Sequence, residues 1–526
     1  MGELLYQSAS EALELSSKPS IYAPIGSHKD LLPYLVRRLL ENGANSSFIN
    51  RLLDPETDSA WLAENPYERL KKETKDIPVP KKIFFDRENS SGKDISEIEN
   101  LEDLKSKIDN FSGLKVDAES IYAGRLDTNN TEEKAFSISN RCEIGTITLD
   151  DPIQIKKALE KDTLDEWKEI EVNERAKILN LIADDLENNP YELIYFLINE
   201  AGKTIQNAIY EIREAVDFLR YYSSRSIELF NNTELNGPTG EDNQMSFTPK
   251  GTFLCISPWN FPVAILIGQI SAALSCGNRV IVKPSEYSSI LGYLVVKKFH
   301  DHGVPISALS LILGDGLYGD FLTKISPLHG VAFTGSLPTA KKIQANIIDN
   351  QNQIIPLIAE TGGINTMIVD SSALLEQVTD DVVRSAFDSA GQRCSALRVL
   401  CVQEEIYDDL KDMIIGNMQI QTVGDPNFFD TDIGPIINDK AYKKLTSYIS
   451  LCSEKGYKIH QPNQKVSDMH IAPTLIEINS ISNITEEQFG PILHILKYSS
   501  NEIDELINQI NRSEYGLTMG IHSRIE

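Results

Sequence analysis

The chain is poor in the features that mark specialised protein classes. Its six cysteines, at positions 142, 255, 276, 394, 401 and 452, include no C-x-x-C pair. Such scattered thiols argue against a zinc site or a disulfide framework, and they suit a reducing compartment. No metal site is expected. No apolar run approaches the roughly 18 residues that a membrane span needs. The start, M-G-E-L-L-Y-Q-S-A-S, lacks the basic and apolar segments of a secretory signal. A cytoplasmic protein is therefore expected. Basic residues are also in deficit, 50 Lys and Arg against 77 Asp and Glu, for a net charge of −27. A nucleic-acid footprint would be basic, so no nucleic-acid partner is expected for this segment.

What remains is a globular composition, 41% hydrophobic, in 526 residues. That is too long for one core. Three textures follow one another. Residues 1–75 contain a short strand, P-S-I-Y-A-P-I-G, and a helix expected over Ser27–Asn42. Ser27 suits its N-cap and Gly43 its C-terminal stop. Leu31, Leu32, Leu35, Val36, Leu39 and Leu40 form the apolar stripe of that helix. One strand and one helix cannot bury a core. Residues 76–145 are rich in Lys, Asp, Glu, Asn and Ser, as in D-R-E-N-S-S-G-K-D. They predict a solvated connector with short helices. From about 146, amphipathic helices (152–170, 174–187, 208–222) give way to short apolar strands alternating with helices. This alternation predicts an α/β fold with a parallel sheet. Ligands bind such sheets at the carboxyl ends of the strands.

No G-x-G-x-x-G dinucleotide fingerprint is expected after any of these strands; the turn after the strand H-G-V-A-F is T-G-S. Alone it says little, although a Gly-Ser turn opening a helix can present N–H groups to a pyrophosphate. The ordered set says much more. It comprises S-P-W-N-F-P (Ser257–Pro262), K-P-S-E (Lys283–Glu286), F-T-G-S (Phe333–Ser336), E-T-G-G (Glu360–Gly363), G-Q-R-C-S (Gly391–Ser395) and E-Q-F-G-P (Glu487–Pro491). Together these motifs resemble the aldehyde dehydrogenase superfamily. The resemblance implies a Rossmann-like NAD-binding domain (146–358) and an α/β catalytic domain (359–526). The catalytic domain is expected to be truncated, because a glycine-rich substrate-anchoring loop of this branch should follow Glu526.

The chemistry can be argued from the residues. An sp² aldehyde carbon gives up hydride poorly, so oxidation needs a tetrahedral adduct. A thiolate makes one, and hydride loss leaves a thioester that water can cleave. Cys394 is the candidate nucleophile, and its neighbour Arg393 offers a positive charge beside the thiol. Asn260 and the Cys394 N–H can hold the oxyanion. Glu360 is the candidate base for hydrolysis. Its apolar neighbours Ile354–Ala359 lead us to expect a carboxylate withdrawn from water. A deacylating base disfavours a CoA-acylating relative, and the intact set disfavours a non-enzymatic scaffold for the whole protein; an NAD-dependent aldehyde dehydrogenase of other specificity and an inactive truncated fragment or scaffold stay open as alternatives. By resemblance, NAD would be held by Lys283 and Glu286 at the adenosine ribose and by Gly335 and Ser336 at the pyrophosphate. Glu487 would meet the nicotinamide ribose, with Phe489 and Trp259 as walls. Glu286 would disfavour a 2′-phosphate, hence NAD over NADP. Ser395 would help hold a substrate carboxylate.

The stretch I-Y-A-P-I-G-S-H-K-D-L-L-P-Y-L-V-R-R-L-L-E-N-G resembles the last strand and helix of the proline dehydrogenase (β/α)8 barrel. There Tyr22, Arg37 and Arg38 match residues that bind the proline carboxylate. Both resemblances on one chain point to the bifunctional bacterial enzymes of proline oxidation. They imply a small aldehyde substrate, L-glutamate γ-semialdehyde. They also imply FAD in the whole protein but not in this chain, and a homo-oligomer of a kind that can lie peripherally at a bacterial inner membrane.

Overall fold

The computed structural model describes residues 25–43, 65, 78–126, 130–161, 166–231, 233–464 and 466–525. The chain divides into two compact units, Met1–Pro78 and Val79–Glu526.

In the first unit the described element is the helix His28–Gly43. Its first turn closes with Leu31 N–H donating to Ser27 O at 3.0 Å, so Ser27 stands at the N-cap as expected. Leu32, Leu35 and Val36 are about half exposed. Arg38 lies over the Tyr34 ring, 5.5 Å from its centroid. Tyr22 lies outside the described residues.

The second unit begins with a three-stranded sheet: β1 (Val116–Glu119), β2 (Thr131–Phe136) and β3 (Glu143–Leu149). β3 lies in the middle, parallel to β1 and antiparallel to β2. The helix Ile98–Asp109 precedes it and buries Leu104 and Ile108. These residues, with Ala118, Ala135 and Ile144, enter the largest hydrophobic cluster. Of the stretch 76–145, expected as a solvated connector, the described residues from 79 on are instead built into the fold of the second unit. Their polar side chains are the outer faces of thin elements: Ala135 is the sole buried side chain in β2. The hairpin β4 (Thr233–Leu235) and β5 (Asn243–Met245) follows the long helix Ile205–Phe230.

Five parallel strands form the next sheet: β6 (Thr252–Ile256), β7 (Arg279–Lys283), β8 (Leu309–Leu311), β9 (Gly330–Thr334) and β10 (Leu357–Glu360). Their order is β10-β9-β6-β7-β8. All five residues of β7 are buried, as a parallel strand covered on both faces requires. The helix Ala264–Ser275 between β6 and β7 is apolar on most of its surface and buried accordingly. Gly277, at φ +79°, ends it.

The last sheet has six strands: β11 (Asn365–Val369), β12 (Leu397–Gln403), β13 (Ile459–His460), β14 (Thr474–Ile478), β15 (Ile492–Tyr498) and β16 (Met519–His522). Their order is β13-β14-β15-β12-β11-β16, with β13 alone antiparallel. They carry a separate hydrophobic cluster of their own. Among the described residues, no helix is long and apolar enough to cross a membrane.

Candidate active site

The order β10-β9-β6-β7-β8 reverses direction between β6 and β9. A crevice opens there at the carboxyl ends of the strands, where ligands of such sheets bind. S-P-W-N-F-P leaves β6, T-G-S leaves β9, K-P-S-E leaves β7, and E-T-G-G starts on the last residue of β10. The six-stranded sheet faces this edge with its amino ends. G-Q-R-C-S leads into β12 and E-Q-F-G-P into β15.

A cavity of about 440 Å3 lies between the two edges. Trp259, Asn260, Gly335, Ser336, Glu360, Cys394, Glu487 and Phe489 all line it. These are residues drawn from five separated motifs. Lys283, Glu286 and Ser395 do not line it. Among the lining residues that the sequence did not single out are Lys444, Glu486 and Tyr515. Lys444 and Glu486 pair at 2.9 Å in an exposed ion bridge.

The nucleophile loop is held in an unusual backbone path. Ser389 and Ala390 both have φ 54°, and Gly391 has φ 63°. Non-glycine residues there cost about 1–2 kcal/mol each, so neighbours must fix them. Asp388 does much of this. Its Oδ1 accepts from Ser389 N–H at 3.0 Å and from Asn207 Nδ2 at 2.8 Å. Its Oδ2 pairs with Arg393 at 2.9 Å. Arg393 Nε also donates to Ser389 Oγ, and another of its nitrogens meets Asn207 Oδ1. The guanidinium thus secures the loop rather than the thiol, and the expected activation of Cys394 by Arg393 is not what the structure shows. Gly391 must be glycine for a second reason: a Cβ there would meet Gly490 O at 2.2 Å. Gln392, buried, donates to Pro435 O and accepts from Ile437 N–H.

Cys394 is half-buried. Burial pushes its thiol above the ordinary cysteine range, and the Glu487 and Glu360 charges push the same way. The N–H groups of Ser395 and Cys394 oppose them. Asn260 is buried, and its Nδ2 donates to Gln392 O at 3.1 Å, which aims the amide at the nucleophile loop. Asn365 Nδ2 donates to Cys394 O at 2.7 Å and Ala396 O at 2.9 Å. Glu360 departs from expectation: it is exposed. β10 is the edge of its sheet, and Ile354 and Ile358 beside it are exposed as well.

Glu487 is the most heavily engaged of the cavity carboxylates. Burial raises its carboxyl above the usual range, while Arg398, 3.2 Å away, and the Gly363 N–H draw it down. A Cβ on Gly362 would fall 1.8 Å from Glu487 Oε2, so the first glycine of E-T-G-G makes room for this side chain. Arg398, 1% exposed, also donates to Gly490 O and Arg393 O, each at 3.0 Å. It therefore ties the two loops of the six-stranded half together. Trp259 and Phe489 meet edge to face, with centroids 5.6 Å apart, as one aromatic wall.

A dinucleotide laid along the crevice would find suitable groups. Lys283 is 3% exposed at the end of β7. Burial pushes its ammonium down to about 8, while Glu286 and Asp315 oppose that. Its ammonium donates to Pro284 O at 2.9 Å, and Glu286 stays exposed in the same turn. Ser257 Oγ, at the end of β6, is buried without a hydrogen-bond partner among the described residues. Ser336 caps the helix Leu337–Asn350 by accepting from Thr339 N–H. Contrary to the expectation that no such fingerprint follows a strand, G-D-G-L-Y-G (Gly314–Gly319) follows β8 and opens the helix Gly316–Leu322. No group of three His, Cys, Asp or Glu side chains among the described residues could hold a metal.

Comparison with known proteins agrees with this arrangement. Residues 127–525 match the aldehyde dehydrogenase family, and residues 1–51 match proline dehydrogenase. The chain belongs to the aldehyde dehydrogenase family. The family match starts at residue 127, ahead of the boundary at 146 suggested by composition. The bifunctional protein PutA of Escherichia coli is 40% identical over 100% of this chain. The chain spans 41% of the length of that relative. The 1-pyrroline-5-carboxylate dehydrogenase of Bacillus subtilis is 32% identical over 74% of this chain and 77% of its own length. A crystal structure of a Bradyrhizobium japonicum proline utilization A variant superposes with a TM-score of 0.83 at 38% identity. It covers 100% of this chain and 51% of that one.

Proposed function

We propose that this chain holds the aldehyde-oxidising part of a bifunctional proline-catabolising enzyme. Its reaction is the NAD-dependent oxidation of L-glutamate γ-semialdehyde, in equilibrium with 1-pyrroline-5-carboxylate, to L-glutamate. The observation that carries this is the meeting of Cys394, Asn260, Glu360, Glu487 and Phe489 at one cavity. The relatives named for both proline use and pyrroline-carboxylate oxidation supply the substrate.

Cys394 Sγ, as thiolate, bonds to the aldehyde carbon, and the oxygen gathers negative charge. The Asn260 amide and the Cys394 N–H stabilise that oxygen. Bound NAD supplies the hydride acceptor. The C=O reforms as the hydride leaves, giving a thioester on Sγ. Glu360 takes a proton from water, whose oxygen attacks the thioester carbon, and the C–S bond breaks to free glutamate and the thiol. Exposure of Glu360 suits this late step, which requires water. Lys283 and Glu286 take the adenosine ribose, Gly335 and Ser336 the pyrophosphate, and Glu487 the nicotinamide ribose. Flavin chemistry is assigned to the barrel of the whole protein rather than to residues 79–526. Arg37 and Arg38 belong to that barrel's proline site.

The test is NADH absorbance after adding the semialdehyde to the chain with saturating NAD. A burst matching the enzyme concentration is expected. Tight NAD binding with no NADH from any aldehyde would sink the assignment. Ser395 is exposed and outside the cavity, which favours a second reading, an enzyme that accepts aldehydes without an α-carboxylate. Equal burst rates with glutamate semialdehyde and an uncharged aldehyde of the same length would favour it.

A further inference from the structure

We propose that two buried carboxylates, Glu200 and Glu211, position the site's loops separately: Glu200 the nucleotide loop Lys283–Ser288, and Glu211 the oxyanion loop Trp259–Pro262. The roles of the two loops rest on the function proposed above; the clamping itself is read from hydrogen bonds.

A helix leaves its first N–H groups without acceptors inside the helix. A Ser, Thr, Asp or Asn at the N-cap normally supplies one. The helix Leu337–Asn350 behind T-G-S does so locally, through Ser336. The two helices behind the other loops do not. Val263 stands at the N-cap of Ala264–Ser275, and Ser288 at that of Ser289–Asp301 makes no side-chain capping bond. Both helices are served from a distance. Glu211 Oε1 accepts from Val263 N–H at 2.7 Å and Ala264 N–H at 3.2 Å. Glu200 Oε1 and Oε2 accept from Ile290 and Leu291 N–H, each at 2.9 Å. A carboxylate there also meets the positive end of the helix dipole.

The surroundings of the two differ. Glu211 is fully buried, and its other oxygen faces Lys203 Nζ at 2.7 Å. Lys203 in turn sits 4.1 Å from the ring centroid of Phe261, next to Asn260. The pair thus supports the oxyanion loop from two directions. For Glu200, burial drives the carboxyl up and three backbone N–H groups draw it down. Glu200 ends the helix Tyr191–Asn199, and Glu211 lies in the next helix, Ile205–Phe230. One helical layer therefore sets both loops, and with them the approach of cofactor to thiol. These are positioning residues; neither lines the cavity.

The test uses the full chain with Glu200→Gln and Glu211→Gln, which keep one carbonyl acceptor each, and the corresponding alanine variants. Three quantities are read: the Kd for NAD by calorimetry, the NADH burst rate at saturating NAD, and amide exchange over 258–266 and 284–292. For Glu200→Gln, exchange should quicken at 284–292, and NAD binding should weaken on the order of tenfold. Its burst rate should change less than its Kd. For Glu211→Gln the pattern should reverse, with the burst slowed on the order of tenfold and NAD affinity less affected. Each alanine variant should exceed its glutamine counterpart in the same direction. Equal losses of both quantities in both variants would reduce the carboxylates to general stabilisers and overturn the proposal. Unchanged exchange at both segments would overturn it as well. A wild-type chain that takes up no NAD would overturn the functional reading instead, and the exchange data alone would then judge the clamps.

Discussion

The two halves of the second unit anchor the ends of their site loops with different kinds of partner. In the five-stranded half, loops run out of strands into helices and present spare N–H groups. Carboxylates secure them: Glu211 beneath W-N-F-P and Glu200 behind K-P-S-E. In the six-stranded half, loops run into strands and present spare carbonyls. Donors secure those: Arg398 on Gly490 O and Arg393 O, and Asn365 on Cys394 O and Ala396 O. Chain direction thus favours acceptors behind loops that open helices and donors behind loops that enter strands, with Asp388 as an added acceptor at the left-handed turn of the nucleophile loop. Buried polar groups are tolerated only when paired, so each brace is also a vulnerable point.

The largest effect should come from the nucleophile itself. Cys394→Ala should lower aldehyde-dependent NADH formation by roughly a thousandfold or more, because the remaining groups stabilise an adduct that no longer forms. NAD binding, proposed to rest mainly on the other half, should persist by calorimetry. Loss of both would show that the halves are not separable in this way. Next comes Glu360, which ends the five-stranded half yet acts on the thioester of the other. Glu360→Gln should slow steady turnover by about 10²–10⁴ while the first NADH burst survives in rapid mixing. A missing burst would place Glu360 before hydride transfer. Arg398→Met should cost about 1–3 kcal/mol in chemical unfolding, since it leaves the partly buried Glu487 and two backbone carbonyls without their donor. Arg398→Lys should recover part of the charge but not the forked contacts to two carbonyls. A loss below about 1 kcal/mol, the scale of an exposed pair, would mean that the donor brace matters little.

The two halves were not equally legible in sequence. Alternating apolar strands and helices, with Gly277 as a stop, located β6, β7, β8 and β9 and the helices between them. That works because a parallel strand is apolar along its whole length. The braces stayed hidden, since Glu200 lies 90 residues from Ile290 and Glu211 lies 52 from Val263. No local pattern records such pairs. In the six-stranded half, Cys394, Glu487 and Phe489 were found by motif alone, and the left-handed turn at Ser389–Ala390 left no signal in residue type. Two expectations failed for one physical reason, that neighbours in sequence are not neighbours in space. Glu360 follows apolar residues but sits on an edge strand, so they do not shield it. Residues 76–145 look soluble because thin elements show their outer faces.

The gentlest test is selective alkylation, and it returns to Arg393, whose guanidinium is engaged with Asp388, Ser389 and Asn207 in the six-stranded half. Cys394 is half-buried and its thiol is raised by burial and by two carboxylates. Alkylation follows the thiolate fraction, which grows as pH rises toward a raised pKa. Labelling of Cys394 should therefore be slow at neutral pH and climb about tenfold per unit while pH stays well below that pKa. Cys142 is exposed and serves as the reference. Cys255 and Cys401 are buried, with thiols pushed up to about 12, and should stay unlabelled while the fold holds. Peptide mapping after brief iodoacetamide treatment at several pH values separates these four. Added NAD should alter the rate at Cys394 and leave Cys142 alone, because Cys394 alone of the four lines the cavity. Labelling of Cys394 that outpaces Cys142 at pH 7 would require a positive charge that turns toward the thiol in solution. Arg393 is the side chain placed to supply it, and the sharp contrast between a braced loop and an activated thiol would then fail at that residue.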